Sequence, residues 1–289
     1  MAGESTIHVT CAQFEPRIGE IEGNRETSIA LVSEAADNGA DLVVLPELCQ
    51  SGYVIESRSE AYALAETVPG GPTIEAWAAL AQERKIHIVA GFLERDDDRL
   101  YNSAVVVGPG GILGTYRKNH LWDEEALFFE RGNRNFPIFH TPFGRLGVLI
   151  CYDGWFPEAW RLLAIAGADI VCVPTNWVPM PGQPDGLPAM ANLLCMSAAH
   201  VNSFVVAACD RVGLERGQPF IGQSLIVDHT GWPVAGPASV DEPAMISAEI
   251  NLGEARRKRN WNDFNQIVRD RRTDLYGEML GHAATPDWH

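Results

Sequence analysis

Two stretches of the chain read almost as copies: Gly39-Ala40-Asp41-Leu42-Val43-Val44-Leu45-Pro46 and Gly167-Ala168-Asp169-Ile170-Val171-Cys172-Val173-Pro174. Each follows a helical pattern, opens with Gly-Ala-Asp and runs through four apolar residues to a proline. A short continuous apolar run bounded by turn residues reads as a strand buried on both faces, and a strand fed by a helix is the unit of an α/β sheet. Two such units are too few for a solenoid, and they predict two similar α/β halves. Glu47 follows the first proline, so this strand ends in a carboxylate.

A third strand unit is chemically the most loaded. Arg145-Leu-Gly-Val-Leu-Ile-Cys151 is an apolar run that stops at a cysteine. Tyr152-Asp153-Gly154-Trp155-Phe156 makes a turn, and Pro157 suits the first turn of a helix whose Ala159, Leu162, Leu163 and Ala166 recur at helical spacing until Gly167. In open α/β sheets the carboxyl ends of strands border the ligand crevice, and a nearby helix N-terminus favours thiolate over thiol. Free cysteine taken alone packs more often as a small hydrophobe. Cys172 lies inside its apolar run and fits that description; Cys151 lies at the exit of its own.

The rest of the chain supplies the frame. Residues 7–13 alternate as an opening strand, Asn24 is expected to cap a helix running to Asn38-Gly39, and Thr73 to cap one carrying Ile74, Trp77 and Leu80. Strands are expected at 86–93, 100–107 and 112–118, the last two flanking Pro109-Gly110-Gly111 and the last closing on Lys118. A proline-rich loop at 178–188, a helix to about 200 and strands at 203–209, 224–228, 232–235 and 244–250 follow. With no linker in 289 residues, residues 1–289 are expected to form one domain, with 252–289 a C-terminal helix and tail outside the core.

A formal charge of −16 argues against nucleic-acid and anionic-membrane partners, and no apolar run approaches the roughly 20 residues of a membrane span. The six cysteines form no C-x-x-C pair, which favours reduced thiols over disulfides or zinc. The opening Met-Ala-Gly-Glu-Ser-Thr lacks the pattern of a secretory signal. A cytoplasmic protein without metal or organic cofactor is expected.

Glu47, Lys118 and Cys151 thus stand at three strand ends. A thiolate attacks, a carboxylate moves protons and an ammonium steadies oxyanion charge, so the set has a chemistry in common. Their surroundings, Leu45-Pro46-Glu47 with Gly52-Tyr53, Tyr116-Arg117-Lys118-Asn119-His120-Leu121, and Gly147-Val-Leu-Ile-Cys151-Tyr152-Asp153 with Phe156-Pro157-Glu158, occur in the order seen in the carbon-nitrogen hydrolase (nitrilase) superfamily. Tyr101-Asn102-Ser103, Pro174-Thr175 and Gly222-Gln-Ser224 are lesser matches. The resemblance spans roughly residues 7–250. It implies a four-layer αββα sandwich and a Glu47, Lys118, Cys151 triad, with a second glutamate at Glu125 or its neighbour Glu124. It also implies an acyl-enzyme on Cys151, an oxyanion held by Lys118 and the Tyr152 backbone N–H, and a homodimer or larger homo-oligomer.

Tyr53, Trp155, Asn176 and Trp177 follow strand ends and are candidate pocket walls. Glu60, Asp153 and Asp185 are candidates to meet a substrate amine, and His120 is expected to brace its own loop. Tyr152-Asp153 resembles the amidase-like branches, where true nitrilases place Trp-Glu, and Gly154 to Glu158 resembles the branch that cleaves carbamoyl amines. The expected substrate is a small amide, with nitrile and ureido compounds as alternatives. A non-catalytic binding relative of the same fold is the reading from another class.

Overall fold

The computed structural model describes residues 6–184 and 186–280, and within them two six-stranded sheets face each other. The first contains β1 (Thr6–Gln13), β2 (Leu42–Val44), β3 (His87–Asp96), β4 (Arg99–Gly108) and β5 (Gly111–Arg117). The second contains β6 (Ile138–Thr141), β7 (Gly144–Val148), β8 (Ile170–Pro174) and β9 (Val205–Cys209). After β9 in sequence comes the small hairpin of β10 (Leu214–Glu215) and β11 (Gln218–Pro219), followed by β12 (Leu225–Val227) and β13 (Pro233–Ala235) of the second sheet, and then β14 (Ala244–Asn251), which returns to the first. The orders are β14-β1-β2-β3-β4-β5 and β13-β12-β9-β8-β7-β6, each with three parallel strands at its centre.

Strand alternation explains the layers. In β2, Leu42 and Val44 face the second sheet, while Val43 and Leu45 face α1 (Ile21–Asp37) and, beyond α2 (Arg58–Leu64), α3 (Pro72–Arg84). Trp77 of α3 donates from Nε1 to Ser28 Oγ of α1 at 3.0 Å, which fixes the pair. After the short α4 (Glu125–Phe128), α5 (Pro157–Ile165) and α6 (Met190–Asn202) cover the second sheet with Trp160, Leu163, Cys195 and Ala199. Gly147 on β7 lets α5 lie close: a Cβ would lie 2.9 Å from Leu163 Cδ2, and that side chain would have to shift. The molecule is therefore an αββα sandwich, as the sequence leads one to expect.

The Gly-Ala-Asp copies perform the same work in both sheets. Gly39 and Gly167 take φ of +86° and +89° to end α1 and α5, a conformation that favours glycine. The Asp41 and Asp169 carboxylates accept from the backbone N–H groups of His8 and Arg145 on the neighbouring strands, at 2.8 and 2.9 Å. Their own backbone groups continue both ladders. Each aspartate thus fixes the register of a parallel pair at its entry, so the exits where Glu47 and Asn176 stand are fixed too.

Several local expectations change. Asn24 lies inside α1, buried, and binds Arg17 and Gln50 backbone groups instead of capping the helix. Thr73 sits one residue past Pro72, and the buried Glu66 carboxylate accepts from its N–H at 2.8 Å, serving the start of α3 from outside the helix. Near the C-terminus, α7 (Leu252–Arg257) buries Leu252 and Ala255, so this part does belong to the core, contrary to expectation. Arg256 and Arg259 reach Asp169 at 2.8 and 3.4 Å. The apolar residues from Trp261 to Val268 lie on turns instead of a helix, ahead of α8 (Thr273–Leu280).

Candidate active site

The exits of β2, β5 and β7 converge. Lys118, one residue past β5, is held by its N–H donating to Asn102 O of β4 at 2.8 Å. Its Nζ donates to Glu47 Oε1 at 2.6 Å and to Glu125 Oε1 at 2.7 Å, and all three side chains are buried. Of the two neighbouring glutamates, Glu125 reaches the lysine, while Glu124 is exposed at the start of α4. Asn102 adds a 2.7 Å bond from Nδ2 to Glu47 Oε1. Glu47 Oε2 is left buried without a protein partner.

Burial pushes the Glu47 carboxyl up to about 7, with the Glu125 charge helping and the Lys118 ammonium opposing. For Lys118 burial works against the charge, but the Glu125 and Glu47 carboxylates outweigh it and hold the ammonium charged. Cys151 is also buried, and that burial, with the Glu47 charge, holds its thiol well above the ordinary range against the pull of Lys118, Thr175 and Asn176. The resting cysteine is a thiol beside a carboxylate that takes protons near neutrality.

Cys151 opens a 3-10 turn over Cys151–Trp155, immediately before α5, and adopts φ of +44°. A left-handed non-glycine residue costs on the order of 1 kcal/mol and persists only where the surroundings fix it. Asp153 supplies the fixing. Its Oδ2 accepts from the Ile150 N–H at 3.0 Å and the Tyr116 hydroxyl at 2.7 Å, and its Oδ1 accepts from the His120 N–H at 3.0 Å. The His120 ring adds a 2.7 Å contact from Nδ1 to Asp153 Oδ1 and stacks on Phe156 at 3.7 Å between centroids. Asp153 therefore clasps the lysine loop to the cysteine turn and is fully buried, which removes it from the candidates to meet a substrate amine. Glu60, another of these, is tied to Arg216 at 2.6 Å, and Asp185 lies outside the described residues.

The wall candidates divide. Trp155, Asn176 and Trp177 line a hollow of about 20 Å³ on Cys151, together with Tyr152 and three residues sequence reasoning missed, Trp122, Val178 and Met180. Asn176 also donates from Nδ2 to Glu47 O at 2.9 Å, joining the two sheets across the site. Tyr53 belongs instead to the charged cluster: its hydroxyl donates to Glu125 Oε1 at 3.0 Å. Its loop rests on a buried pair that was also missed. Arg211 binds Glu215 at 2.8 Å, and Glu215 Oε2 accepts from the N–H groups of Tyr53 and Val54 at 2.8 and 2.7 Å. Both belong to Asp210-Arg-Val-Gly-Leu-Glu215, where an acid four residues from an arginine was the available signal. A far larger groove, about 1080 Å³ between α5, α6 and the C-terminal segment, shares Trp155 with this hollow but is lined by none of Glu47, Lys118, Glu125 and Cys151.

A buried thiol, a buried carboxylate and a buried ammonium thus stand together at the strand exits of an αββα sandwich, and among the described residues no histidine is a hydrogen-bond partner of Glu47 or Lys118. The carbon-nitrogen hydrolase family model matches residues 8–260, and the chain belongs to that family. It is 43% identical to a protein named nitrilase from Pyrococcus abyssi, over 93% of this chain and 99% of that one. It is 33% identical to N-carbamoylputrescine amidase from Solanum lycopersicum, over 90% and 91%. A carbon-nitrogen hydrolase from Helicobacter pylori superposes with a TM-score of 0.83 at 28% identity, over 96% of this chain and 99% of that one. The protein is a hydrolase of non-peptide carbon-nitrogen bonds.

Proposed function

We propose that the protein is a small-molecule amidase in which Cys151 is the nucleophile and Glu47 the proton carrier. The observation that carries this is the Glu47 carboxyl, poised at about 7 with Oε2 unpartnered, beside a thiol that burial keeps protonated. Glu47 takes the thiol proton as Sγ adds to the amide carbon. The oxyanion that forms is met by Lys118 and the Tyr152 N–H. Glu47 returns the proton to the departing nitrogen, which leaves as ammonia, and a thioester remains on Cys151. Water then adds to the thioester while Glu47 accepts one of its protons. The tetrahedral intermediate collapses, the sulfur leaves and regains a proton, and the carboxylic acid is released. Glu125 orients the amide nitrogen and keeps Lys118 in place.

The Tyr152-Asp153 pair resembles the amidase-like branches, and that resemblance is the reason for preferring an amide to a nitrile. A nitrile and a ureido compound are the competing substrates, in keeping with the names of the relatives. A panel of short aliphatic and amino-acid amides, matching nitriles and carbamoyl amines is expected to release ammonia fastest from the amides. Higher kcat/KM for the nitriles would overturn the amide assignment and leave the residue roles intact.

The pH profile checks the proton carrier. Because Glu47 must be ionised to accept a proton, kcat/KM is expected to rise with pH and level off above about 7. An acid limb near 4.5 would place an unperturbed carboxyl in that role.

The reading extends to the cell and the assembly. Six unpaired cysteines, with Cys11 against Cys209 as separate thiols between the sheets, favour a reducing cytoplasm. Leu162 and Ile165 on α5, Val201 on α6 and Trp261 beyond α7 are exposed along the large groove, which supports a homodimer formed there by a single-domain chain. Light scattering is expected to exceed the 31.6 kDa of one chain.

A further inference from the structure

The hollow on Cys151 does not end at Met180. A second chamber of about 130 Å³ shares Trp155, Trp177, Val178 and Met180 with it and continues to Ala189, Ile221 and Gln223. The direction matters. In an amide bound to Sγ, the leaving nitrogen must face the carboxylates and the oxygen must face Lys118, because those groups act on them. The remaining substituent of the carbonyl carbon, the acyl chain, then points away from Glu47, Lys118 and Glu125, none of which lines either hollow. On that side the hollow shares Trp155 and Trp177 with the chamber.

We infer that this chamber is the acyl subsite and that it takes an uncharged, aromatic or branched group about the size of a benzene ring. The inference rests on the amidase reading and adds to it the chemical class of the substrate. The volume is close to the roughly 150 Å³ of apolar space that holds benzene in a protein interior. Among the described residues, the walls are tryptophan, aliphatic side chains, methionine, proline and two glutamines, with no charged side chain. A cationic chain would meet the two glutamine amides but no carboxylate among the described walls, so its charge would be desolvated without a counter-ion, which disfavours it. The first hollow is too narrow for a ring to rest beside the sulfur, so it acts as the neck through which a one- or two-carbon link passes.

The test compares acetamide, phenylacetamide, 3-phenylpropanamide and 4-aminobutanamide on the full-length protein, its Ala189→Leu variant, which fills the chamber, and its Ile221→Ala variant, which enlarges it. For the unaltered protein, kcat/KM for the better aryl amide is expected to exceed that for acetamide by about 10-fold or more, since one methylene in an apolar pocket already discriminates about 10-fold. Ala189→Leu is expected to lower that ratio about 10-fold, and Ile221→Ala is expected to move the preference towards the longer of the two aryl amides. Acetamide turned over as well as both aryl amides, or a ratio that neither variant moves, would overturn the subsite and leave the amidase reading standing. Preference for 4-aminobutanamide would overturn its apolar character. Failure of every amide alongside rapid cleavage of nitriles or carbamoyl amines would overturn the amidase reading, and the subsite with it.

Discussion

Cys151→Ala is expected to lose turnover by at least about 10⁴-fold while the protein stays folded, because removal of a nucleophile eliminates the covalent route and leaves only the pocket's binding. The sequence expectation that Cys151 stands clear of the core needs amending: it is only 7% exposed. Yet its thiol borders the small hollow, and alanine suits the left-handed turn no worse than cysteine does, so the stability change is expected to stay within about 1 kcal/mol. Cys172→Ala makes the contrast. That thiol is fully buried between the sheets, and its removal leaves a cavity costing about 1–2 kcal/mol with the chemistry intact. Thermal melts and steady-state kinetics on the two variants check the assignment. Equal activity losses at unchanged melting temperature would defeat it.

Glu47→Gln is expected to reduce kcat by about 10²- to 10⁴-fold with substrate still bound, because the amide keeps the shape and can still accept from Lys118 through its oxygen, but has no basic oxygen to take the thiol proton. Rapid-mix mass spectrometry separates this from simple loss of fit. Little acyl adduct should accumulate on Cys151, since the first proton transfer fails before the thioester forms. Retention of a tenth of the original kcat would remove Glu47 from the proposed role. Lys118→Ala is the less informative change, although it too should lose the chemical step. It leaves Glu47 and Glu125 buried without their shared cation, and breaking a buried ion pair costs about 3–5 kcal/mol on its own.

The strands were legible because they announce themselves, while the αββα arrangement came from the family resemblance. Runs such as Leu42 to Leu45 and Ile170 to Val173 are buried on both faces, so nearly every residue in them is apolar and the polar residue that follows marks the exit. Glu47 and Cys151 were found by that transition, Lys118 as the residue that closes the strand after the Pro109-Gly110-Gly111 turn, and the family resemblance gave the three their roles. What escaped depends on contacts between distant segments. Asp153 looks like any acidic turn residue until Tyr116 and His120 arrive from the other sheet, and Glu66 serves α3 from outside it. Helix starts were misplaced at Asn24 and Thr73 for a related reason: a polar residue near a helix start can cap it, but here each side chain satisfies groups in another segment. The choice between Glu124 and Glu125 needed the fold, because adjacent helix positions point about 100° apart and only one faces the lysine.

The site draws Glu47, Asn102 and Lys118 from one sheet and Cys151 and Asn176 from the other, with Asp153 and Asn176 bonded across the gap. A chain that has formed both sheets but has not yet closed them together would show its full complement of strands and helices and remain chemically silent. Recovery of activity during refolding is therefore a clock for docking of the two halves, running behind any spectroscopic signal that reports secondary structure alone.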